Sequence, residues 1–194
     1  MDINISHFTQ GNVIDTCAIW NVLSSLKLIA AAKSAKCYFS ATGFVYYEAL
    51  HKPRKVAKKE GLKLQQRLRT EMMDIKFFGD CSLNIADLQD VNVLNQRMRL
   101  GKGELSSIVF AKKSGLAFMT DDQKARKLGI KFIGRENVQT TPHLFGWLFY
   151  TRRLSDSDKS KIIHEHEQCG GPLKKYFEEA YEEALRCKCM ETQR

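Results

Sequence analysis

Residues 12–18 read Asn12-Val13-Ile14-Asp15-Thr16-Cys17-Ala18, and the fold turns on how the apolar period changes along that stretch. Asn12-Val13-Ile14 is a short apolar strand signal closed by Asp15. From Thr16 the apolar residues recur at three and four. Ile19, Val22, Leu23, Leu26 and Ile29 share one face, which predicts an amphipathic helix capped by Thr16.

Working outward, the alternation continues. Cys37-Tyr38-Phe39-Ser40 is a second strand signal, and Phe44 to Leu50, carrying Glu48, reads as a helix. Pro53 suits the first turn of a helix lined by Leu64, Leu68, Met72 and Ile75. Leu88, Val91, Leu94 and Met98 mark the next helix, which stops before Gly101 and Gly103. Glu104 opens another, with Leu105, Ile108, Val109 and Ala111 inside and Gly115 as its cap. Leu116 to Thr120 predicts a strand ending at Asp121-Asp122. Lys124 to Leu128 predicts a short helix capped by Gly129, and Ile130 to Ile133 the last strand. Thr141-Pro142 begins a helix with Leu144, Trp147 and Leu148 on its apolar face. Strands and helices taking turns imply an α/β class with a mainly parallel sheet covered on both sides. From residue 154 the pattern turns polar. Ser155-Asp156 caps a helix reaching Gln168, Gly170-Gly171-Pro172 breaks it, and a second helix runs to Cys187 with Phe177, Ala180, Tyr181 and Ala184 on one face. The expected organisation is a main domain over residues 1–153 and a C-terminal helical extension over 154–194, packed on that domain or on a partner.

The chain has 194 residues, 43% of them apolar, enough for a core and too many for a disordered chain. No long charge-free apolar run is present and the N-terminus lacks a secretion pattern, so a cytoplasmic protein with no membrane partner and reduced thiols is expected. Lys plus Arg exceed Asp plus Glu by 31 − 22, a net charge of +9 that makes polyanions natural partners.

Acidic residues carry the chemistry. Asp15 ends one strand and Asp121-Asp122 another; Glu104 opens a helix after two glycines; Glu48 follows the second strand. In an open parallel sheet such positions converge at the carboxyl ends of the strands. Clustered carboxylates repel, and Mg²⁺ or Mn²⁺, which prefer oxygen ligands, relieve that repulsion. Such a site on a basic protein suits phosphodiester chemistry.

Asn12 to Ala18 resembles the opening motif of PIN-domain nucleases, where a hydrophobic strand delivers an Asp followed by Thr or Ser. Gly103-Glu104-Leu105-Ser106-Ser107-Ile108 resembles their central Gly-acidic helix start, Thr120-Asp121-Asp122-Gln123-Lys124-Ala125-Arg126 is similar to their late Thr-x-Asp segment, and Glu48 falls where the family keeps its second acidic residue. The resemblance covers roughly residues 11 to 150. It implies a three-layer α/β/α sandwich and a metal-dependent endoribonuclease. The implied metal ligands are Asp15, Glu104 and Asp121 or Asp122, with Glu48 orienting water or a second ion. It also implies the partners of VapC-type toxins: RNA, an antitoxin or other regulatory protein, and a second copy in a homodimer. Cys17 replaces the usual small hydroxyl residue after Thr16. Thr-x-Asp alignment favours Asp122 and direct attachment to the strand favours Asp121, so both stay open.

RNA contacts are expected from Arg54, Lys55, Lys58 and Lys59 in the basic stretch from Lys52 to Arg69, from Arg99 and Lys102 leading into Glu104, and from Lys124 and Arg126 beside the Asp pair. His164-Glu165-His166 is a weak metal candidate, since consecutive helical residues point apart. The alternative to an enzyme is a catalytically weak module of this fold that binds RNA or protein.

Overall fold

The computed structural model describes residues 4–52, 58–74, 77–97 and 100–191, with backbone alone at residues 58 and 95–97. Five strands form one all-parallel sheet: β1 (Gly11–Ile14), β2 (Tyr38–Thr42), β3 (Phe78–Cys81), β4 (Ala117–Met119) and β5 (Val138–Gln139), in the order β3-β2-β1-β4-β5. From β1 the chain steps outward to β2 and β3, then returns to lay β4 and β5 on the other side. The reversal falls between β1 and β4, where open α/β sheets leave a crevice at their carboxyl ends.

The helices are α1 (Thr16–Leu23), α2 (Leu26–Ser34), α3 (Gly43–His51), α4 (Lys58–Met72), α5 (Ile85–Arg97), α6 (Lys102–Ser114), α7 (Gln123–Ile133), α8 (Thr141–Tyr150), α9 (Asp156–Gln168) and α10 (Lys174–Glu191). Strand alternation divides them into two layers. Ile14 and Met119 point into a large core with α1, α2 and α8, whereas Val13 and Phe118 point into a smaller one with α5, α6 and α7. The result is a three-layer α/β/α sandwich. No helix among the described residues is long and apolar enough to cross a membrane.

Four local readings change. The helix predicted from Thr16 through Ile29 is two helices, because Ser25 accepts the Leu28 amide and caps a new start; Leu26 is then 56% exposed. Thr16 is not the cap of α1. Asp15 is, with its carboxylate accepting the Ala18 amide. Ile130–Ile133, expected as the last strand, belongs to α7, which runs through Gly129 and stops at Gly134 with φ +87°. Gly129 serves close packing instead: a Cβ there would sit 2.9 Å from the Phe118 ring. The fifth strand is Val138–Gln139, and β3 carried no strand signal because its four residues include Gly79 and Asp80. Pro53, Ile75 and Met98 lie outside the described residues.

The C-terminal helices share the large core. Ile162, Ile163, Phe177, Ala180 and Ala184 are buried with Leu144, Phe145 and Phe149 of α8. His166, set aside as a metal candidate, is fully buried as a latch. Its Nε2 accepts from the Leu173 amide at 3.1 Å, so Nδ1 carries the proton and donates to Ser24 Oγ at 2.9 Å. Burial pushes its pKa down to about 4. Helices α8 and α10 cross at Gly146, where a Cβ would lie 2.6 Å from Ile5 Cδ1 and 2.9 Å from the Ala180 carbonyl oxygen. The backbone oxygen cannot step aside. Gly146→Val is therefore expected to destabilise the fold by about 2 kcal/mol through overpacking, read as a lower midpoint in urea; a midpoint equal to that of the parent chain would show that α10 is not docked at this crossing.

Candidate active site

Four segments bring acidic side chains to the carboxyl edge of the sheet. Asp15 leaves the end of β1 and is 2% exposed. Its Oδ1 accepts from the Ala18 amide at 2.9 Å and the Cys17 thiol at 3.0 Å, and its Oδ2 accepts a short hydrogen bond from Thr120 Oγ1. Burial pushes its pKa up to about 7 against those donors, and the charge of Asp121 adds to the rise. Cys17 does the work of the expected hydroxyl. Burial, with Asp15 and Asp121 close by, drives its thiol pKa well up, so the sulfur keeps its proton and donates it.

Asp121 and Asp122 differ in burial and in partners. Asp121 Oδ1 accepts from the Thr141 amide at 2.8 Å, and its Oδ2 from Thr141 Oγ1 at 2.6 Å and Asn21 Nδ2 at 2.8 Å. Burial raises its pKa above the ordinary value. Asp122 is exposed and caps α7, its Oδ1 accepting the amides of Lys124 and Ala125, both at 2.8 Å. Thr120 joins the two sides, because the same hydroxyl that donates to Asp15 accepts the Asp122 amide at 3.1 Å.

Glu104 stands in the first turn of α6, and its Oε2 is buried without a hydrogen-bond partner. Burial raises its pKa, and the charges of Glu48 and Asp122 raise it further. Glu48 Oε2 accepts from Thr16 Oγ1 at 3.1 Å, and its Oε1 pairs with Lys52 Nζ at 2.8 Å. Gly103 lets the start of α6 approach this carboxylate; a Cβ there would lie 2.6 Å from Glu48 Oε2. Ser106, two residues on, shares a hydrogen bond with Thr42 at 2.7 Å between α6 and β2.

The acids thus form a chain of neighbours: Asp121, Asp15, Thr16, Glu48 and Glu104, with Asp122 on the open side. Among the described residues, no three His, Cys, Asp or Glu side chains stand together as a ready group for a metal ion. Sequence reasoning missed the supports. Asn21 and Thr141 hold Asp121, and Thr120 holds Asp15. Thr120 sat within the motif, whereas Asn21 and Thr141 gave no local signal.

The basic residues scatter. Lys102 and Lys124 are exposed beside the acids, and Arg126 is half-buried close enough to Asp121 to lower its pKa. Lys59 lies apart, lining a separate pocket with Lys63 and Arg67. Arg67 is occupied, donating to the carbonyls of Leu23 at 2.7 Å and Ser24 at 3.0 Å. Arg54, Lys55, Arg99 and the side chain of Lys58 lie outside the described residues. No family of known proteins, no curated protein and no solved structure matches the chain.

Asp15 carries a pH signature. Its pKa rises from 3.8 unfolded to about 7 folded, so the folded chain holds a proton the unfolded chain releases. Its contribution to stability therefore falls as pH climbs through that window and is fully unfavourable above it. His166, lowered from 6.5 to about 4, acts in the opposite direction, and comparing variant with parent cancels it. In chelator, Asp15→Asn should raise the melting temperature by several degrees at about pH 8 and by little at about pH 4. An equal gain at both would mean that the carboxylate is not destabilised by burial.

Proposed function

We propose that the chain is a Mg²⁺- or Mn²⁺-dependent endoribonuclease that hydrolyses RNA phosphodiester bonds at the carboxyl edge of its sheet. One observation carries this reading: acidic side chains from four separate segments line up as neighbours along the carboxyl edge of the sheet, three with pKa values raised by burial, and Glu104 Oε2 is buried with no hydrogen-bond partner among the described residues. Burying like charges together is unfavourable unless a function uses them. The donor set is all oxygen, which fits a hard divalent cation. Asp15, Glu104 and Asp121 or Asp122 would hold it, with Glu48 behind them.

Bound there, the ion supplies the positive charge that a phosphodiester needs beside carboxylates and lowers the pKa of water. The protein supplies the rest. Thr120, Cys17 and the Ala18 amide fix the Asp15 carboxylate, and Thr141 and Asn21 fix Asp121. Glu104 brings a buried oxygen that has no hydrogen-bond partner among the described residues and so can turn to the ion. Glu48, tied to Lys52 and Thr16, stands next to Glu104. Lys102, Lys124 and Arg126 face the backbone phosphates without reading bases.

A second reading, a module that binds RNA or protein without cutting, draws support from the engaged oxygens of Asp15 and Asp121 and the lack of a ready three-ligand group among the described residues. Incubation with total RNA in Mn²⁺, Mg²⁺ or chelator separates the two. New RNA ends should form only with metal, and Asp15→Asn and Glu104→Gln should each slow their formation about a hundredfold. Mn²⁺ should also raise the melting temperature of the parent chain but not of Asp15→Asn. Parent-level cutting by both variants would overturn the site, and metal-independent RNA binding with no new ends would favour the module. Binding of RNA to the uncut variant should fall steeply with added salt, and a flat response would remove Lys102, Lys124 and Arg126 from the interface.

A further inference from the structure

Beside the acidic site lies a pocket of about 1010 Å³ between α3, the end of β3 and the start of α6. Glu48 lines its inner side, so the pocket is continuous with the acidic site. Phe44, Tyr47, Met72 and Leu88 supply its apolar wall. Lys52 and Lys102 stand at its margin, and the Lys102 ammonium lies 6.0 Å from the centre of the Phe44 ring.

The two adjacent tyrosines of α3 are used differently. Tyr46 is buried and its hydroxyl donates to the Gly79 carbonyl at 3.1 Å, which ties α3 to β3. Tyr47 is 60% exposed, an unusual state for a large ring on the wall of a cavity. His51, one turn on, stacks on it with ring centres 5.7 Å apart and planes 28° apart. Among the described residues, His51 is the ring stacked on Tyr47, and it is not part of the pocket lining.

We infer that this pocket is a nucleobase subsite: an unpaired base of single-stranded RNA stacks on Tyr47 while its flanking phosphates lie against Lys52 and Lys102. This rests on the ribonuclease reading and names its substrate as single-stranded. Three features favour a nucleotide over an apolar protein segment. Lys102, and Lys52 beside its partner Glu48, offer ammonium groups to a phosphate backbone in a lining that also holds Asp80, and the chain as a whole is +9. An exposed ring already stacked on one side offers its other side to any base, whatever its sequence. Through Glu48 the pocket opens onto the acids, so a base held here places an adjoining phosphodiester at the site. A base inside a duplex reaches Tyr47 only by leaving its stack, a cost that an unpaired base does not bear, which favours single-stranded substrate.

The test uses full-length Asp15→Asn in chelator, where no cutting is expected, and a short single-stranded RNA carrying a fluorescent adenine analogue. Binding should quench the analogue, and the same sequence as a duplex should bind weakly and without quenching. Adding Tyr47→Ala should weaken binding about tenfold and remove the quench, whereas Tyr47→Phe should keep both. Tyr38, exposed at the start of β2 and so at the opposite edge of the sheet, is the control, and Tyr38→Ala should change nothing. Undiminished affinity and quenching in Tyr47→Ala, or equal binding of the duplex, would overturn the inference; the former would leave the pocket to a protein ligand. The two proposals fail separately. A quench lost with Tyr47→Ala in a chain that never cuts RNA would keep the subsite and sink the enzyme, while metal-dependent cutting indifferent to Tyr47 would do the reverse.

Discussion

Asp15 is a carboxylate buried at the end of the central strand, where it also caps α1. A lone buried carboxylate costs far more than one hydrogen bond returns, so the surroundings supply several donors: the Ala18 amide, the Cys17 thiol and the Thr120 hydroxyl. Those donors come from both sides of the switch point. Thr120 can reach Asp15 only because β4 pairs with β1 in the register that sets Ile14 beside Met119, and the Asp15 amide continues that ladder onto the Met119 carbonyl at 3.1 Å. Sheet order and acidic site are thus one constraint seen from two directions.

Donors soften the burial without cancelling it, since the pKa of Asp15 stays near 7. Glu104 and Asp121 are raised as well, and each lies near another acid. The molecule keeps a local excess of negative charge on a strongly positive chain, an arrangement that lowers stability. The glycine at 103 belongs to the same design. A Cβ there would crowd the Glu48 carboxylate and displace it from its place beside Glu104.

The C-terminal helices are bound into the large core through Phe177 and Ala180 and latched by His166 to Ser24. Their connection comes close to the acids. Gly170, Gly171, Pro172 and Leu173 line a small pocket together with Cys17, Asn21, Asp121 and Asp122. Asn21 is the common point, holding Asp121 from the helix that Asp15 caps.

The sequence by itself determined the class of fold and the identity of the acids. Apolar runs ending in Asp15 and Asp121, each followed by a change to helical period, are local signals, and local signals suffice for a parallel α/β sheet. Gly115 was also legible as a helix stop, since its φ of +70° is a backbone state that glycine favours. Gly129 and Ile130–Ile133 misled for the converse reason: that glycine answers to the Phe118 ring, which is distant in sequence, and the apolar run after it packs α7 onto the sheet. Likewise, Ser25 splitting a continuous apolar stripe, and Asp80 within an edge strand, follow from neighbours and not from period. Only the tertiary structure decided which hydroxyls and amides hold each carboxylate, that Asp121 faces Asp15 while Asp122 caps α7, and that Tyr47 lines a pocket while Tyr46 is spent on Gly79. Hydrogen bonds between residues a hundred positions apart, such as Asn21 to Asp121, leave no periodic trace, because periodicity records the face a residue presents and not the group it meets there.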